Sequence, residues 1–439
     1  MSFANSQNRA LRERAARVIP NGMYGHESVR LLPETYPQYF VRAEGARLWD
    51  ADGNSYLDFM CGYGPNLLGY RHQKIDAAAA AQQMLGDAMT GPAPAMIEFA
   101  EKLVAMVSHA DWAMFCKNGT DATTMAMMTA RAHTGKRKVL VAKGAYHGAA
   151  PWCTPVPMGT VAEDRAHVLS YVYNDVESLE AAVVAAGNDL AGIFAAPFKH
   201  DAFVEQRLPD LHYAQRVREI CDERGALLIV DDVRAGFRLA RDCSWSLVGV
   251  KPDLSCWGKG IANGYPVSAL LGRDKAREAA GKLYVTGSFW FAAVPMAAGI
   301  ATLCEIASTN YLEHMERLAG VLRKGLDDIA KRHGFGIRQS GPPQMPLVLF
   351  EDDGDFRLGY AWSEEMVKRG VYVHPWHNMF FCAAMTDADM TTALEAAEDS
   401  FKAVKARASA LAPHAGLLAL LEARRPVSST SAAVRSSSV

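Results

Sequence analysis

No apolar run in this 439-residue chain approaches the roughly 20 residues that a membrane-spanning helix needs. The first residues also lack the basic and apolar regions of a signal peptide. No excess charge of either sign is present. The 46 Lys and Arg stand against 48 Asp and Glu, a net charge of −2, so neither nucleic acid nor an anionic membrane surface is an expected partner. The eight cysteines (Cys61, Cys116, Cys153, Cys221, Cys243, Cys256, Cys304 and Cys382) form no Cys-x-x-Cys and no zinc-like spacing with histidine. No metal is expected, and reduced thiols in a soluble cytoplasmic protein are. A Gly-x-Gly-x-x-Gly turn after a first strand is absent too, which argues against a nicotinamide dehydrogenase.

Half the residues are apolar, enough for a large core and two or three lobes. The chain is organised around residues 225–272. Ala226 to Val230 is a short uninterrupted apolar run behind Gly225, which suits a strand buried on both faces, and it delivers Asp231 to that strand's carboxyl end. Ligands of open α/β sheets collect at that edge. Lys259 follows at a second such edge between Gly258 and Gly260, where the backbone can turn tightly. Singly, a buried Asp is usually a satisfied core residue and a Lys usually solvated surface. As an ordered pair they are what pyridoxal phosphate chemistry requires. The amine takes the cofactor aldehyde, and the carboxylate keeps the pyridine nitrogen protonated.

Other segments fall around this pair. Trp112 to Cys116 reads as a strand, followed by a turn at Gly119-Thr120 and a helix that stops at Gly135. A helix N-terminus after a strand offers free N–H groups to a phosphate, so Gly119 and Thr120 are candidates for that group. Lys138 to Ala142 is a further buried strand leading to Tyr146, an aromatic placed to stack on a ring, with Gly148 leaving room for it. His147 has no evident partner and reads as structural. Helices are expected before Pro20, over 92–107, 178–186 and 210–224, with a strand at 191–196; these alternations imply a parallel sheet with right-handed crossovers. Tyr39 to Tyr56 reads as two strands around a turn at Asp50–Gly53. From about Pro295 long helices take over, with strands expected at 345–350, 371–374 and 379–384 and a closing helix over 386–405.

The strings Val-Asp-Asp-Val-Arg-Ala-Gly-Phe (230–237) and Gly-Lys-Gly-Ile-Ala-Asn-Gly-Tyr-Pro (258–266) resemble the signature of class III, or ω-type, pyridoxal phosphate aminotransferases, and the likeness covers most of the chain. Met-Tyr-Gly-His-Glu-Ser (23–28) and Tyr-Val-His-Pro (372–375) are similar to the bacterial aminotransferases that deaminate hydrolysed fumonisin, a long-chain aminopolyol. The resemblance implies an α/β protein of fold type I. Its large domain, with a mainly parallel seven-stranded sheet, would span 61–300. A smaller α+β domain would be built from 1–60 and 301–425, leaving 426–439 as a disordered tail.

It also implies roles. Lys259 and Asp231 would be catalytic. Gly119, Thr120, Tyr146 and Val233 would join them around the cofactor, and Ser288 would reach the phosphate of a neighbouring subunit, making a homodimer with shared sites. Two departures from the family pattern stand out: Ala196-Pro197 where Glu-Pro is usual, and Ala292-Ala293 where Asn-Pro is usual. Many relatives acting on amino acids grip the α-carboxylate with an Arg in the C-terminal lobe. Residues 371–381 here contain none. An amine without an α-carboxylate is therefore expected as donor and a keto acid such as pyruvate as acceptor, with Arg30 a candidate to receive the latter. Tyr24, Tyr63, Trp290 and Trp376 would suit a long or bulky amine. A glutamate-1-semialdehyde-type aminomutase and a β-amino acid aminotransferase remain the alternatives.

Overall fold

The computed structural model describes residues 4–200 and 203–424; the expected tail at 426–439 lies outside the described residues. Helix α1 (Ser6–Val18) stops short of Pro20, as its spacing predicts. The Asp52 carboxylate accepts from the N–H groups of Gln7 and Asn8 in its first turn, at 2.8 Å each. Between Phe40 and Asp58 there are three strands rather than the expected two: β1 (Phe40–Glu44), β2 (Arg47–Asp50) and β3 (Ser55–Asp58), paired antiparallel. The extra reversal is at Gly45, whose φ of +57° a side chain would resist. Helices α2 (Gln73–Gln83) and α3 (Ala95–Met106) follow.

The large sheet starts at β4 (Trp112–Cys116), passes through α4 (Gly119–Thr134), and continues with β5 (Lys138–Ala142) and β6 (Val168–Tyr171). Then come α5 (Val176–Ala186), β7 (Leu190–Ala195), α6 (Leu211–Arg224), β8 (Leu227–Asp231), β9 (Leu254–Trp257) and β10 (Ser268–Gly272). Seven strands lie in the order β4-β10-β9-β8-β7-β5-β6, and β10 alone runs against the rest. Every residue of β7 and β8 is buried, which is why these strands read as unbroken apolar runs rather than alternating ones. All parallel strands end at one edge, so the residues following β4, β5, β8 and β9 meet there.

The rest of the chain is α7 (Asp274–Gly281), α8 (Ala293–Ser308), the 23-residue α9 (Tyr311–His333), the hairpin β11 (Ile337–Ser340) and β12 (Leu347–Phe350), and α10 (Arg357–Lys368). Strand β13 (Val371–Tyr372) then joins β3 in parallel, so one four-stranded sheet draws on both ends of the sequence. Helix α11 (Asp387–Arg407) opens on a capping box of Thr386 and Asp389, and α12 (Ala415–Arg424) follows. The strand expected over 379–384 is absent. The backbone N–H groups of Met379, Phe380, Phe381 and Ala383 donate instead to carbonyls of Pro346, Phe59, Gln344 and Leu67, so the stretch is stitched to separate segments rather than to one partner strand. No helix among the described residues is long and apolar enough to cross a membrane.

Candidate active site

A cavity of about 750 Å³ opens at the carboxyl edge of the large sheet. Gly119, Thr120, Tyr146, Asp231, Val233 and Lys259, all singled out from the sequence, line it together. Asp231 ends β8 and is 7% exposed. Its Oδ2 lies 2.7 Å from Nδ1 of the buried His147, whose ring therefore donates to the carboxylate, and its Oδ1 accepts from the Val233 N–H at 3.2 Å. His147 thus has the partner that the sequence did not reveal: it holds the carboxylate in one orientation.

Lys259 follows β9 and itself adopts the left-handed φ of +50°, whereas Gly258 is extended. The strained residue is the lysine, not its glycine neighbours, and strain of this kind concentrates at functional positions. Gly258 is needed for space, since a Cβ there would come within 2.6 Å of Ser268 Oγ. Lys259 Nζ donates to the Tyr63 carbonyl at 2.8 Å. Burial brings its pKa down to about 7, assisted by the nearby cations Arg234 and Arg238 and opposed by Asp231 and Glu27. Near neutrality a large share of this amine is therefore unprotonated and nucleophilic.

Helix α4 begins beside the cavity with its own capping box, in which Asn118 and Asp121 satisfy each other's backbone N–H. The Gly119 and Thr120 N–H groups find no acceptor among the described residues, and both residues line the cavity, which leaves these donors available to an anion there. Gly119 is required there because a Cβ would strike Val233 Cγ1 at 2.6 Å. Gly148 lines the same cavity and carries a further constraint: a Cβ on it would meet Thr120 Oγ1 at 2.5 Å, so the glycine also lets the Tyr146 loop close on α4. Tyr146 is 41% exposed and lines the cavity. Unpaired phosphate-type donors at a helix start, an oriented carboxylate and a low-pKa amine in one cavity fit pyridoxal phosphate.

Tyr24, Arg30 and Trp376 come together elsewhere, around a pocket of about 350 Å³ that shares His26 with the main cavity. Tyr63 gives its carbonyl to Lys259, while its ring stands edge-on to His26 at 4.8 Å and to His377 at 5.4 Å. Ser288 and Trp290 do not line the cavity within a single chain. Sequence reasoning passed over Glu27, His200 and Arg234, which do. Only Arg234 carried a signal, as a cation three residues beyond a buried strand end.

The family model described as aminotransferase class-III matches residues 33–398. The chain belongs to the class-III aminotransferases. It is 59% identical to an aminopentol aminotransferase of Sphingopyxis macrogoltabida, over 94% of this chain and 98% of that protein. It is 32% identical to a 3-aminobutyryl-CoA aminotransferase of Cloacimonas acidaminovorans, over 91% and 98%. Among solved structures, the FumI protein of Sphingopyxis sp. MTA144, in its PLP internal aldimine form, superposes with a TM-score of 0.93 at 59% identity, covering 94% of this chain and all of that one. As a class-III aminotransferase the protein has the fold type I architecture and takes pyridoxal phosphate as cofactor. All eight cysteines are free, and no cluster of metal-ligating side chains occurs among the described residues.

Proposed function

We propose that this transaminase removes the amino group from an amine that has no α-carboxylate, a long-chain aminopolyol or a similarly bulky amine, and passes it to a keto acid such as pyruvate. The observation that carries the chemistry is the Lys259 amine, held against the Tyr63 carbonyl in the same cavity as Asp231 and the start of α4. Pyridoxal phosphate supplies, when bound, an aldehyde carbon that accepts an amino group and a cationic ring that withdraws electrons from the carbon next to it. Lys259 would hold the cofactor at Nζ and, once displaced by the substrate amine, carry the proton lost from the substrate carbon. Its low pKa lets it act as a base near pH 7. Asp231, steadied by His147, would keep the ring nitrogen protonated. Gly119 and Thr120 would donate to the phosphate, Val233 would pack under the ring and Tyr146 over it.

The donor class rests on residues 371–381 having no Arg, on the aromatic surroundings of Tyr24 and Trp376, and on the likeness to the aminopentol aminotransferase. The same likeness supports a role in detoxifying hydrolysed fumonisin. Ser288 and Trp290, outside the cavity of their own chain, suit a homodimer in which each subunit completes its partner's site. Eight free thiols suit the reducing cytoplasm.

A panel of amines with pyruvate, scored by alanine formed, tests the reading. Hydrolysed fumonisin and long aliphatic amines should outperform α-amino and β-amino acids. Turnover confined to β-amino acids would replace the donor assignment, and isomerisation without any added keto acid would make the protein an aminomutase.

A further inference from the structure

We propose that Arg234 is the anchor for the carboxylate of the keto-acid acceptor. The proposal deepens the transaminase reading above and rests on it. Arg234 follows Val233 just beyond β8 and lines the same cavity as Lys259 and Asp231. Its Nη1 donates to Asn378 Oδ1 at 2.8 Å and lies 3.4 Å from His377 Nε2. Its Nε and Nη2 have no partner among the described residues, yet they are not among the side-chain atoms shut away from solvent without one. They therefore open into the cavity. No carboxylate among the described residues forms an ion pair with this guanidinium.

Arg238, four residues further on, makes the contrast. It is 1% exposed, and its two terminal nitrogens are spent on the carbonyls of Phe381 and Gly64. That arginine ties loops together; Arg234 has half its fork free. Asp231 acts on it only from beyond ion-pair distance, and burial keeps His200 and His377 from adding competing positive charge. A partly desolvated cation without an anion is costly, and an anion that arrives with the substrate removes that cost. The guanidinium fork matches a planar carboxylate in bidentate fashion. An α-keto acid carries its carbonyl on the carbon next to that carboxylate, so gripping one end beside Lys259 directs the other end at the reacting centre. An amine without a carboxylate cannot use the contact. The two halves of the reaction should therefore depend on Arg234 unequally, while Arg30, in the neighbouring pocket, is left to other parts of the substrate.

The test uses the holoenzyme with Arg234→Met and Arg234→Lys, following each half-reaction separately by cofactor absorbance. With the methionine variant, the pyruvate concentration needed for half-maximal rate should rise about 100-fold, while the amine half changes by no more than about threefold. Butanal, an acceptor carbonyl without a carboxylate, should react with this variant about as fast as with the wild type. The lysine variant should recover only part of the loss, since a point charge lacks the fork. Equal losses with pyruvate and butanal, or an equal loss in the amine half, would overturn the assignment and give Arg234 to the cofactor or to the fold. A wild-type enzyme that accepts aldehydes but no keto acid would remove the acceptor reading itself, and the anchor with it.

Discussion

The two walls of the active-site cavity are built in different ways. The sheet wall consists of residues that directly follow buried strands: Gly119 after β4, Tyr146 after β5, Asp231 at the end of β8 and Lys259 after β9. Parallel strands end at one edge, so a short run of sequence at each strand end is enough to fix which groups meet. The opposite wall is made of loops far apart in the chain. Residues 21–31 and 60–66 bring His26, Glu27 and Pro65 to it, and 371–381 packs behind them through Tyr63 against His377, with Asn378 reaching Arg234 on the sheet wall. The comparison teaches that regular backbone places the cofactor side, whereas side-chain contacts between distant loops shape the substrate side. Substitutions on the first wall should act on chemistry and those on the second on substrate preference or stability.

The largest expected effect tests the first half of that division. Lys259→Ala should reduce turnover by about 10⁴-fold or more, because it removes both the covalent attachment and the proton carrier. Alanine formation measures the loss, and thermal melting should show a folded protein. A variant that keeps a tenth of the activity would break the comparison at its centre. Next in size, Asp231→Asn should cost about 100- to 1,000-fold in turnover, since the ring nitrogen loses its negative partner. His147→Phe should cost about 10- to 100-fold, the worth of one charge-assisted hydrogen bond of about 1.5–3 kcal/mol. A purely structural histidine would leave the pH dependence of bound-cofactor absorbance unchanged; an orienting one should shift it.

On the loop wall, Asp58 is the residue to remove. Its carboxylate accepts from Met60 N–H at 2.7 Å, Cys61 N–H at 2.9 Å and Tyr70 O–H at 2.7 Å, which fixes the turn that carries the Tyr63 carbonyl to Lys259. Asp58→Ala leaves these three buried donors unpaired and should lower stability by about 3 kcal/mol in urea titration, with a smaller loss of turnover than Lys259→Ala. A loss of turnover as deep as that of the lysine variant would show that the two walls are not separable.

How much of this was legible follows the same line. The seven-stranded sheet and the groups at its edge could be read because apolar runs, glycine stops and strand–turn–helix order are local signals. The His147–Asp231 bond spans 84 positions and the Arg234–Asn378 bond 144, and neither leaves a pattern in sequence. The segment 379–384 is apolar enough to read as a strand, but it has no single partner strand to pair with, and composition does not report that. The turn at Gly45 was missed because Ala43-Glu-Gly-Ala46 carries no Asn-Gly or Asp-Gly dipeptide to mark a reversal.

The smallest expected effect lies within the sheet wall and runs through charge alone, from Arg234, which the loop residue Asn378 holds, to Lys259. Burial, and after it Arg234, bring the Lys259 pKa down to about 7. A lowered pKa means that the amine is protonated below about pH 7 and neutral above it, and only the neutral form attacks an aldehyde. The rate at which cofactor-free protein takes up pyridoxal phosphate, followed by the growth of visible absorbance, should therefore climb through about pH 7 and level off above it. In Arg234→Met one cation is gone, the proton is held more tightly, and the same climb should move to higher pH by up to about one unit. An unmoved midpoint would mean that the cavity screens the two cations from each other. Arg234 would then have no electrostatic hold on Lys259, and burial alone would keep its pKa low.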